Sequence, residues 1–445
     1  MKNQELFGVY SQFERFVTGY VVAIIRLLPE GYPSVENRLL RVIRGQTFPL
    51  APEAFARHLE KNSEQDSPRE KVVGAMSELL HLVLETIEYL GTEVGRDLAH
   101  RPLLFMSQYG EADEQAFSLL TLARLNHSAG REQLPRQLAE WSRTVRWALL
   151  SLLEREGDWQ WMGMFLSCLE DGEPEIVRVA VSAVGKSGTV SAAPRLLELL
   201  HGSGEMVTIS AALALGRLRE PAALLPLMEL GTTTRSQRVR ASVVSALGDF
   251  GEPRVVPFLA RHLEHRDSRV RANALTALRR VFQSLGRVEE TIIQKMMVCL
   301  EDAEHRVRAD AIFNLWELGR IESLDCIERM LKDDRHEARA SGAWLCGRLK
   351  LLQIKDSLQL LLRDPEWNVR KTAAVALIAF GDSGRQLLLS LARTGTMEEQ
   401  ISSAFALGLE HDPEGIDRLF FTSRNGEELS QGATDLLLRF SRPLS

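Results

Sequence analysis

The chain has 445 residues, of which 45% are hydrophobic and 26% charged, and its formal net charge is −6. These proportions are ordinary for a water-soluble protein. The acidic balance argues against a molecule built throughout to bind nucleic acid, since such proteins usually carry a basic excess. The four cysteines form no CxxC motif and are too few for a disulfide framework, which favours a reducing compartment. We therefore expect a cytoplasmic protein.

The first hundred residues contain two long predicted helices. Apolar and aromatic side chains recur at helical steps from Phe7 to Leu27, and a second helix is predicted at Arg69–Leu90. Residues 62–70 are polar and predict a turn or linker. The apolar stretch 17–28 has only 12 residues and contains Arg26, so it is too short to cross a bilayer and we expect no membrane insertion.

A repeated phrase begins after this region: apolar–Arg–x–x–small–x–x–small–apolar–Gly. Val145 starts one further unit, and residues 114–123 (EQAFSLLTLA) echo residues 399–408 (EQISSAFALG). Clear repeats span about 140–410, so we divide the chain into residues 1–100, a helical cap or docking region, and residues 101–445, the repeat region. The first position of the phrase recurs every 30 to 37 residues, at Ile176, Val207, Val239, Val270, Val307, Ala338, Val369 and Glu399.

Each unit is predicted to contain two helices, which we call the A helix and the B helix. The A helix is a leucine-rich run such as residues 355–362, and the B helix starts near position 1 of the phrase. Positions 1, 5, 8, 9 and 12 of the B helix are apolar, which is the spacing of one helical face. Positions 5 and 8 are mostly alanine, which allows a neighbouring helix to approach closely. Position 10 is glycine in several units: Gly185, Gly216, Gly248, Gly347 and Gly408.

An aspartate lies six residues before the repeat arginine in three units. We expect this aspartate to cap the B helix, with Pro365 at a first helical position. The arginine is expected to hydrogen-bond the carboxylate of its own or an adjacent unit, so that stacked units form a ladder of charged pairs. The ladder is predicted to run from Arg240 to Arg370, because Val177, Thr208 and Gln400 replace the arginine elsewhere. Its members are Arg240, Arg271, Asp302, Arg308, Asp333, Arg339, Asp364 and Arg370, with Thr234 and His265 standing where two aspartates are expected.

At these residues the chain resembles the HEAT-repeat family, especially the short bacterial, PBS-lyase-like form with units near 31 residues. The resemblance covers roughly residues 140–410. It implies an all-α fold, an α-solenoid wound as a right-handed superhelix of antiparallel helix pairs, with an N-terminal helical cap and with B helices lining the concave face. The 37-residue step between Val270 and Val307 predicts an insertion near residues 281–292, which lengthens a helix or a loop.

Charge is distributed unevenly along the chain. Residues 1–175 hold 18 basic and 26 acidic residues, whereas residues 235–287 hold 11 arginines and 4 acidic residues. The basic segment is compatible with an anion-binding or nucleic-acid-binding patch. It is equally compatible with ladder arginines beside a solvated rim, or with contacts to the acidic N-terminal half.

The B-helix stripe at positions 4, 7 and 11 is predicted to face solvent and to bind a partner. It is small, polar or basic in the early units, where Lys186, Arg217 and Arg280 are the basic candidates. In the later units it becomes apolar and aromatic, and aromatic side chains are favoured anchors at interfaces. The alternative is that these side chains belong to the core. The late candidates are Phe313, Trp316, Trp344, Val375, Phe405 and Leu409.

No constellation of catalytic or metal-binding residues stands out. His262 and His265 are spaced as HxxH but lack a further ligand at metal-binding spacing, so we interpret them as a surface pair. Four tryptophans cluster around the first repeats and are best explained by packing: Trp141, Trp147, Trp159 and Trp161. No nucleotide-binding or serine-hydrolase motif occurs. We expect no catalytic residues, no metal and no cofactor.

The preferred hypothesis is a non-catalytic scaffold or adaptor that binds a protein or peptide along the concave face. Short HEAT-like solenoids also occur in bilin lyases and in DNA glycosylases for alkylated bases, so an enzyme is the second hypothesis. In the glycosylase interpretation, Trp316, Trp344 and Asp310 would form the lesion site. A nucleic-acid binder without chemistry is the third, disfavoured hypothesis. The sequence does not determine the oligomeric state.

Overall fold

The computed structural model describes residues 3–27, 67–320 and 324–424. Within these ranges the chain forms 23 α-helices joined by short turns, and no β-strand. The predicted all-α solenoid class, in which antiparallel helix pairs stack side by side, is confirmed. None of the described helices combines the length and the apolar character needed to cross a bilayer. Residues 62–66 of the predicted linker lie outside the described ranges.

Two compact units make up the chain, Met1–Pro226 and Leu227–Ser445. The helices of the first unit, numbered in chain order, are α1 Asn3–Leu27, α2 Pro68–Leu90, α3 Arg96–Tyr109, α4 Ala112–Arg124, α5 Ser128–Gln137, α6 Arg143–Glu156, α7 Met162–Ser167, α8 Pro174–Ser187, α9 Ala193–Glu198 and α10 Glu205–Leu218. Helix α11, Leu224–Thr233, contains the division between the units. The predicted boundary near residue 100 falls inside the first unit, so the cap remains an interpretation.

The second unit continues the alternation of A and B helices. Its helices are α12 Gln237–Asp249, α13 Val256–Arg261, α14 Ser268–Leu285, α15 Glu290–Val298, α16 His305–Glu317, α17 Asp325–Leu331, α18 His336–Leu349, α19 Lys355–Leu361, α20 Trp367–Ile378, α21 Asp382–Thr394, α22 Met397–Leu409 and α23 Pro413–Arg424. The even-numbered helices from α6 to α22 are the B helices. Helix α14 has 18 residues where its neighbours α12 and α16 have 13, so the predicted insertion lengthens a B helix.

Consecutive B helices pack through glycine against alanine. A Cβ atom placed on Gly347 would lie 2.7 Å from the Cα of Ala376, and one on Gly248 would lie 2.6 Å from the Cα of Ala277. These distances are shorter than any stable carbon–carbon contact, so position 10 must lack a side chain wherever the next B helix approaches this closely. The glycines therefore serve close packing between helices.

The arginine ladder joins neighbouring repeats in the middle of the second unit. Arg271 donates two hydrogen bonds of 2.7 Å to the carboxylate of Asp302, and Arg339 donates two, of 2.6 and 2.9 Å, to Asp364. Arg308 donates to Asp333 over 3.0 Å. Each of these arginines also donates to a backbone carbonyl in the turn before its own B helix. Each guanidinium therefore hydrogen-bonds the turn before its own B helix and the carboxylate of the next repeat.

Two arginines differ from the ladder prediction. Arg240 donates to the carbonyls of Gly231 and Thr234 and lies beside His265, because that position offers an imidazole where a carboxylate was expected. Arg370 donates to the carbonyls of Asp364 and Pro365, and its guanidinium lies over the ring of Trp367. The carboxylate rungs of this region therefore start at Arg271 and end at Arg339. Outside the predicted range, Arg146 pairs with Asp171 in the first unit.

The aspartates act one step earlier than predicted. Asp333 accepts a hydrogen bond from the backbone N–H of Arg335, which is itself the residue preceding the first turn of α18. Asp364 does the same with Glu366, and α20 begins only at Trp367. The carboxylate thus fixes the turn that leads into the helix, and Pro365 lies before the helix and not at its first position.

The weakest sequence match has a clear structural counterpart. Glu114 and Glu399 each form a capping box at the start of α4 and α22. The next residue in each case, Gln115 or Gln400, donates from its side chain to the carbonyl of a preceding glycine, over 2.9 and 2.8 Å. The two segments therefore share their local structure, and α4 starts in the same way as the last B helix.

Candidate functional site

Positions 4, 7 and 11 of the B helices form one stripe in the second unit, and α14, α16, α18 and α20 carry its accessible part. We call this part the open stripe. Trp344 of α18 is 47% exposed and Val375 of α20 is 40% exposed, so two large apolar side chains of neighbouring B helices are accessible on the same stripe. Between them and α14 lie smaller half-buried side chains, among them Thr276, Ser341 and Thr372.

Phe313 on α16 is the centre of the candidate site. Its ring centroid lies 6.1 Å from that of Trp344, and its other edge packs against the core. The guanidinium carbons of Arg279 and Arg348 lie 5.6 and 5.7 Å from the same ring centroid. Both distances are within the range of a cation–π interaction. An aromatic ring is therefore held between two cations beside an accessible tryptophan.

The two arginines differ from the ladder arginines because neither has a carboxylate partner among the described residues. Arg279 donates to the side-chain oxygens of Asn314 and Gln283, each over 2.8 Å, and both acceptors are neutral. Burial lowers the pKa of the Arg279 guanidinium, and the like charges of Arg280 and Arg348 lower it further against the opposing charge of Glu317. Arg279 and Arg348 thus place two positive charges beside Phe313, and Glu317 opposes them without forming an ion pair with either.

Asp310 lies one turn before Phe313 on the same stripe. Burial raises the pKa of its carboxyl group to about 6, and the nearby charge of Arg306 opposes this only in part. The site therefore contains a carboxyl group that titrates well above the ordinary range of aspartate. Asn314 is buried and links the two features, since it donates to the Asp310 carbonyl and accepts from Arg279.

The absence of glycine at position 10 explains why this cluster forms here. Arg279 and Trp316 occupy that position in α14 and α16, where other units place glycine against the next helix. Helices α16 and α18 consequently pack less closely than the glycine-bearing pairs. The larger side chains fill the gap between the helices and reach the surface of the stripe.

The other predicted partner-binding residues have different surroundings. Trp316 is half-buried and packs on the core, and Leu409 is 41% exposed at the end of α22. Phe405 differs from the prediction: it is only 5% exposed, because Trp367 meets its ring edge-on at 5.4 Å and Leu419 joins the same cluster. The three basic candidates are also dissimilar: Lys186 pairs with Glu154 and Arg280 with Asp249, whereas Arg217 is exposed on α10.

Sequence reasoning missed Arg348 and Arg279 as members of the cluster. Arg348 stands at position 11 of its B helix, so the rule that selected Arg280 also predicts its exposure. Arg279 gives a weaker signal, an arginine in place of the position-10 glycine. The four tryptophans of the first repeats do not join any such cluster, since Trp141, Trp147 and Trp161 are buried.

The histidine pair does not form part of a metal site in the described residues. His262 donates to the carbonyl of Phe258 over 2.8 Å, and the rings of His262 and His265 stack at 6.1 Å. In the described ranges, no group of three or more His, Cys, Asp or Glu side chains is arranged to hold an ion.

Comparison with known proteins agrees with this construction. A family model described as HEAT repeats matches residues 131–216 and 205–279, which include four complete B helices and the first part of α14. The chain contains HEAT repeats. The chain is similar to the phycocyanobilin lyase subunit alpha of Picosynechococcus sp., at 25% identity over 211 residues, which is 42% of this chain and 77% of that protein.

Two solved structures match the chain at low sequence identity and low TM-score. The CpcE–CpcF complex of phycocyanin lyase from Nostoc sp. is 21% identical, covers 51% of this chain and 90% of its own, and has a TM-score of 0.35. Kap95p, solved with RanGDP, is 12% identical, covers 98% of this chain and 71% of its own, and has a TM-score of 0.44.

Proposed function

We propose that this chain is a non-catalytic scaffold that binds an acidic segment of a partner protein along the open stripe. The observation that carries the proposal is the cluster around Phe313: an accessible tryptophan beside a ring held between Arg279 and Arg348, neither of which has a carboxylate partner among the described residues. Tryptophan and arginine are enriched among residues that contribute most to protein–protein binding. A carboxylate from the partner supplies the charge that the cluster lacks.

The rest of the basic segment supports a protein partner over nucleic acid. Three of its arginines are already paired with carboxylates of this chain: Arg269 with Asp267, Arg271 with Asp302 and Arg280 with Asp249. Arg240 is occupied by backbone carbonyls. Much of the local excess of positive charge is therefore used in structure, and a long phosphate backbone would find no unbroken series of free cations among these residues.

A second candidate function is favoured by the similarity to a phycocyanobilin lyase subunit. A bilin is a linear tetrapyrrole with two propionate groups. Arg279 and Arg348 can pair with carboxylates of this kind, and the exposed face of Trp344 can stack on a conjugated ring. Titration of the purified chain with phycocyanobilin separates the candidates: saturable binding lost in Trp344→Ala and Arg348→Ala supports bilin handling, and an unchanged visible spectrum counts against it.

Affinity purification from the native cell tests the scaffold proposal. The wild-type chain is compared with Trp344→Ala and with the matched control Leu360→Ala, whose side chain is 69% exposed on the A helix α19. We expect at least one protein to be depleted by about tenfold with Trp344→Ala and retained with Leu360→Ala. If the Trp344 variant retains every partner, the open stripe is not the binding surface.

A further inference from the structure

The stripe that is open in the second unit is covered in the first. On α4 the residues at positions 4 and 7 are Phe117 and Leu120, and each is 1% exposed. On α6 the same positions hold Ala148 and Ser151, at 0% and 6%. A B-helix face of this repeat is therefore able to accept another element along its length.

The covering elements are the helices α1 and α2. The ring of Phe13 on α1 meets Phe117 edge-on, with centroids 4.9 Å apart, and Phe16 of α1 lies 5.9 Å from the same ring. Helix α2 lies on α6 and also contacts α4. Its Arg69 forms two hydrogen bonds of 2.6 Å with Glu175, at the start of α8.

The contacts of α2 recur with the period of a helix. Glu70, Gly74, Ser77 and His81 lie on one face of α2, and all four approach the C-terminal half of α6. Gly74 lies close to the guanidinium of Arg155, since a Cβ there would be 3.3 Å from it. Ser77 and His81 both bond to Glu156. A helix packed on a B helix in this way therefore brings a new residue to it about once per turn.

The covering helix α2 passes close to a basic residue at position 11, since Gly74, one turn after Glu70, lies beside the guanidinium of Arg155. The backbone N–H of Ser67 contributes most to lowering the pKa of Glu70, and the charges of Lys186 and Arg155 add to it. Arg155 and Lys186 are the position-11 residues of α6 and α8. In the open stripe the same position is occupied by Arg280 on α14 and Arg348 on α18. The second unit therefore offers basic residues at the repeat position that the covering helix approaches in the first.

We propose that the open stripe binds an amphipathic helix of the partner protein, with apolar side chains on Phe313, Trp344 and Val375 and a carboxylate on Arg348. This proposal rests on the proposed scaffold function and specifies its partner. Neighbouring helices lie roughly 8–10 Å apart, so the four B helices from α14 to α20 span roughly 30 Å, the length of about 20 helical residues. Helix α2, which covers the equivalent face, has 23 residues.

Selection from two displayed peptide libraries tests the mode of binding on the full-length chain. Both libraries contain peptides of about 20 residues. One carries apolar positions at helical spacing with random residues between them, and the other carries the same composition with two prolines that prevent a helix. We expect enrichment only from the first library, with Asp or Glu recurring on the apolar side. Binding should weaken about tenfold in Trp344→Ala and Arg348→Ala.

Two matched variants report on specificity. Leu360→Ala removes an exposed apolar side chain and Arg261→Ala an exposed basic one, both from A helices, and neither should change the binding of the enriched peptides. Enrichment of proline-containing peptides that need Trp344 would overturn the proposal that the partner binds as a helix, and it would leave the scaffold function intact. The same proposal would be overturned if no peptide were enriched, or if the enriched peptides bound Trp344→Ala and Arg348→Ala as well as wild type.

The open stripe could instead be filled by a second copy of the chain, and analytical sedimentation distinguishes this case from binding of a partner helix. A wild-type dimer that dissociates in Trp344→Ala would show that the stripe is filled by self-association and would overturn the proposal. A species that sediments identically in the two forms agrees with a stripe left for a partner. The scaffold function fails separately, through retention of all partners by Trp344→Ala in the affinity purification.

Discussion

The first and second units treat the same face of the same repeat in opposite ways. In the first unit, α1 and α2 lie on α4 and α6, and the residues at positions 4 and 7 of these two helices, such as Phe117 and Ala148, are buried. In the second unit the stripe from α14 to α20 keeps Trp344 and Val375 exposed and gathers arginines around Phe313. The repeat thus provides a common framework, and the residues at positions 4, 7 and 11 decide whether the face is part of the core or a binding surface.

The largest expected effect compares an aromatic residue of the covered stripe with one of the open stripe. Phe117→Ala should reduce the free energy of unfolding by about 3–5 kcal/mol, because the ring is fully buried between Phe13 and Phe16. Trp344→Ala should change it by less than about 1 kcal/mol, because nearly half of that side chain is already in solvent. Urea denaturation followed by circular dichroism measures both. Equal losses would contradict the distinction between the two regions.

The ladder should stabilise the second unit most strongly at neutral pH. Arg339→Ala leaves the nearly buried carboxylate of Asp364 without its two hydrogen bonds, and we expect a loss of about 2–4 kcal/mol at pH 7. Burial alone would raise the pKa of Asp364, but hydrogen bonds from Arg339 and from the Glu366 backbone lower it below its ordinary value.

A carboxyl group with a lowered pKa stabilises the fold above its unfolded pKa and loses this contribution as pH falls through the folded value. The difference between wild type and Arg339→Ala should therefore narrow below about pH 4. Denaturation curves at a series of pH values measure it. A difference that stays constant into acid would show that the ion pair is not the source. Arg261→Ala, on an exposed arginine of α13, serves as the control.

The contribution of Asp310 to the free energy of unfolding should depend on pH in the opposite direction and more weakly. Its pKa is raised to about 6, so the folded state is penalised by the ionised form and gains stability as the pH falls through 6. Asp310→Asn should be more stable than wild type by about 1–2 kcal/mol at pH 7.5, with the gap closing below about pH 4. A variant less stable than wild type at pH 7.5 would mean that the carboxylate has a stabilising partner.

Much of the fold can be predicted from the sequence because small residues at fixed repeat positions indicate where helices pack closely. Alanine at position 8 and glycine at position 10 predict close B-helix contacts, and Gly347 meets Ala376 in this way. The spacing of Asp302 and Arg308 predicts charged pairs, although the sequence does not say that each arginine binds the carboxylate of the following unit. Local patterns fix local geometry well.

The candidate site was harder to predict because it depends on contacts between neighbouring repeats of the second unit. Phe313 and Trp344 were visible as an apolar stripe, but the arginines around them come from helices 34 residues before and 35 residues after Phe313 in the chain. Phe405 lies at the same repeat position as Trp344 and is nevertheless buried, because Trp367 and Leu419 cover it. Equivalent positions in a repeat acquire different exposure from neighbours that the repeat pattern does not specify.

Thiol labelling at position 7 tests most directly whether the two units treat one face differently. Ser151→Cys on α6 and Val375→Cys on α20 occupy the same repeat position, with native side chains 6% and 40% exposed. Because a maleimide reacts only with an accessible thiol, our account predicts that the cysteine at 375 is modified at least about tenfold faster than the one at 151, in a Cys326→Ser background that removes the partly exposed native thiol. Equal rates at the two positions, or faster modification at 151, would contradict it.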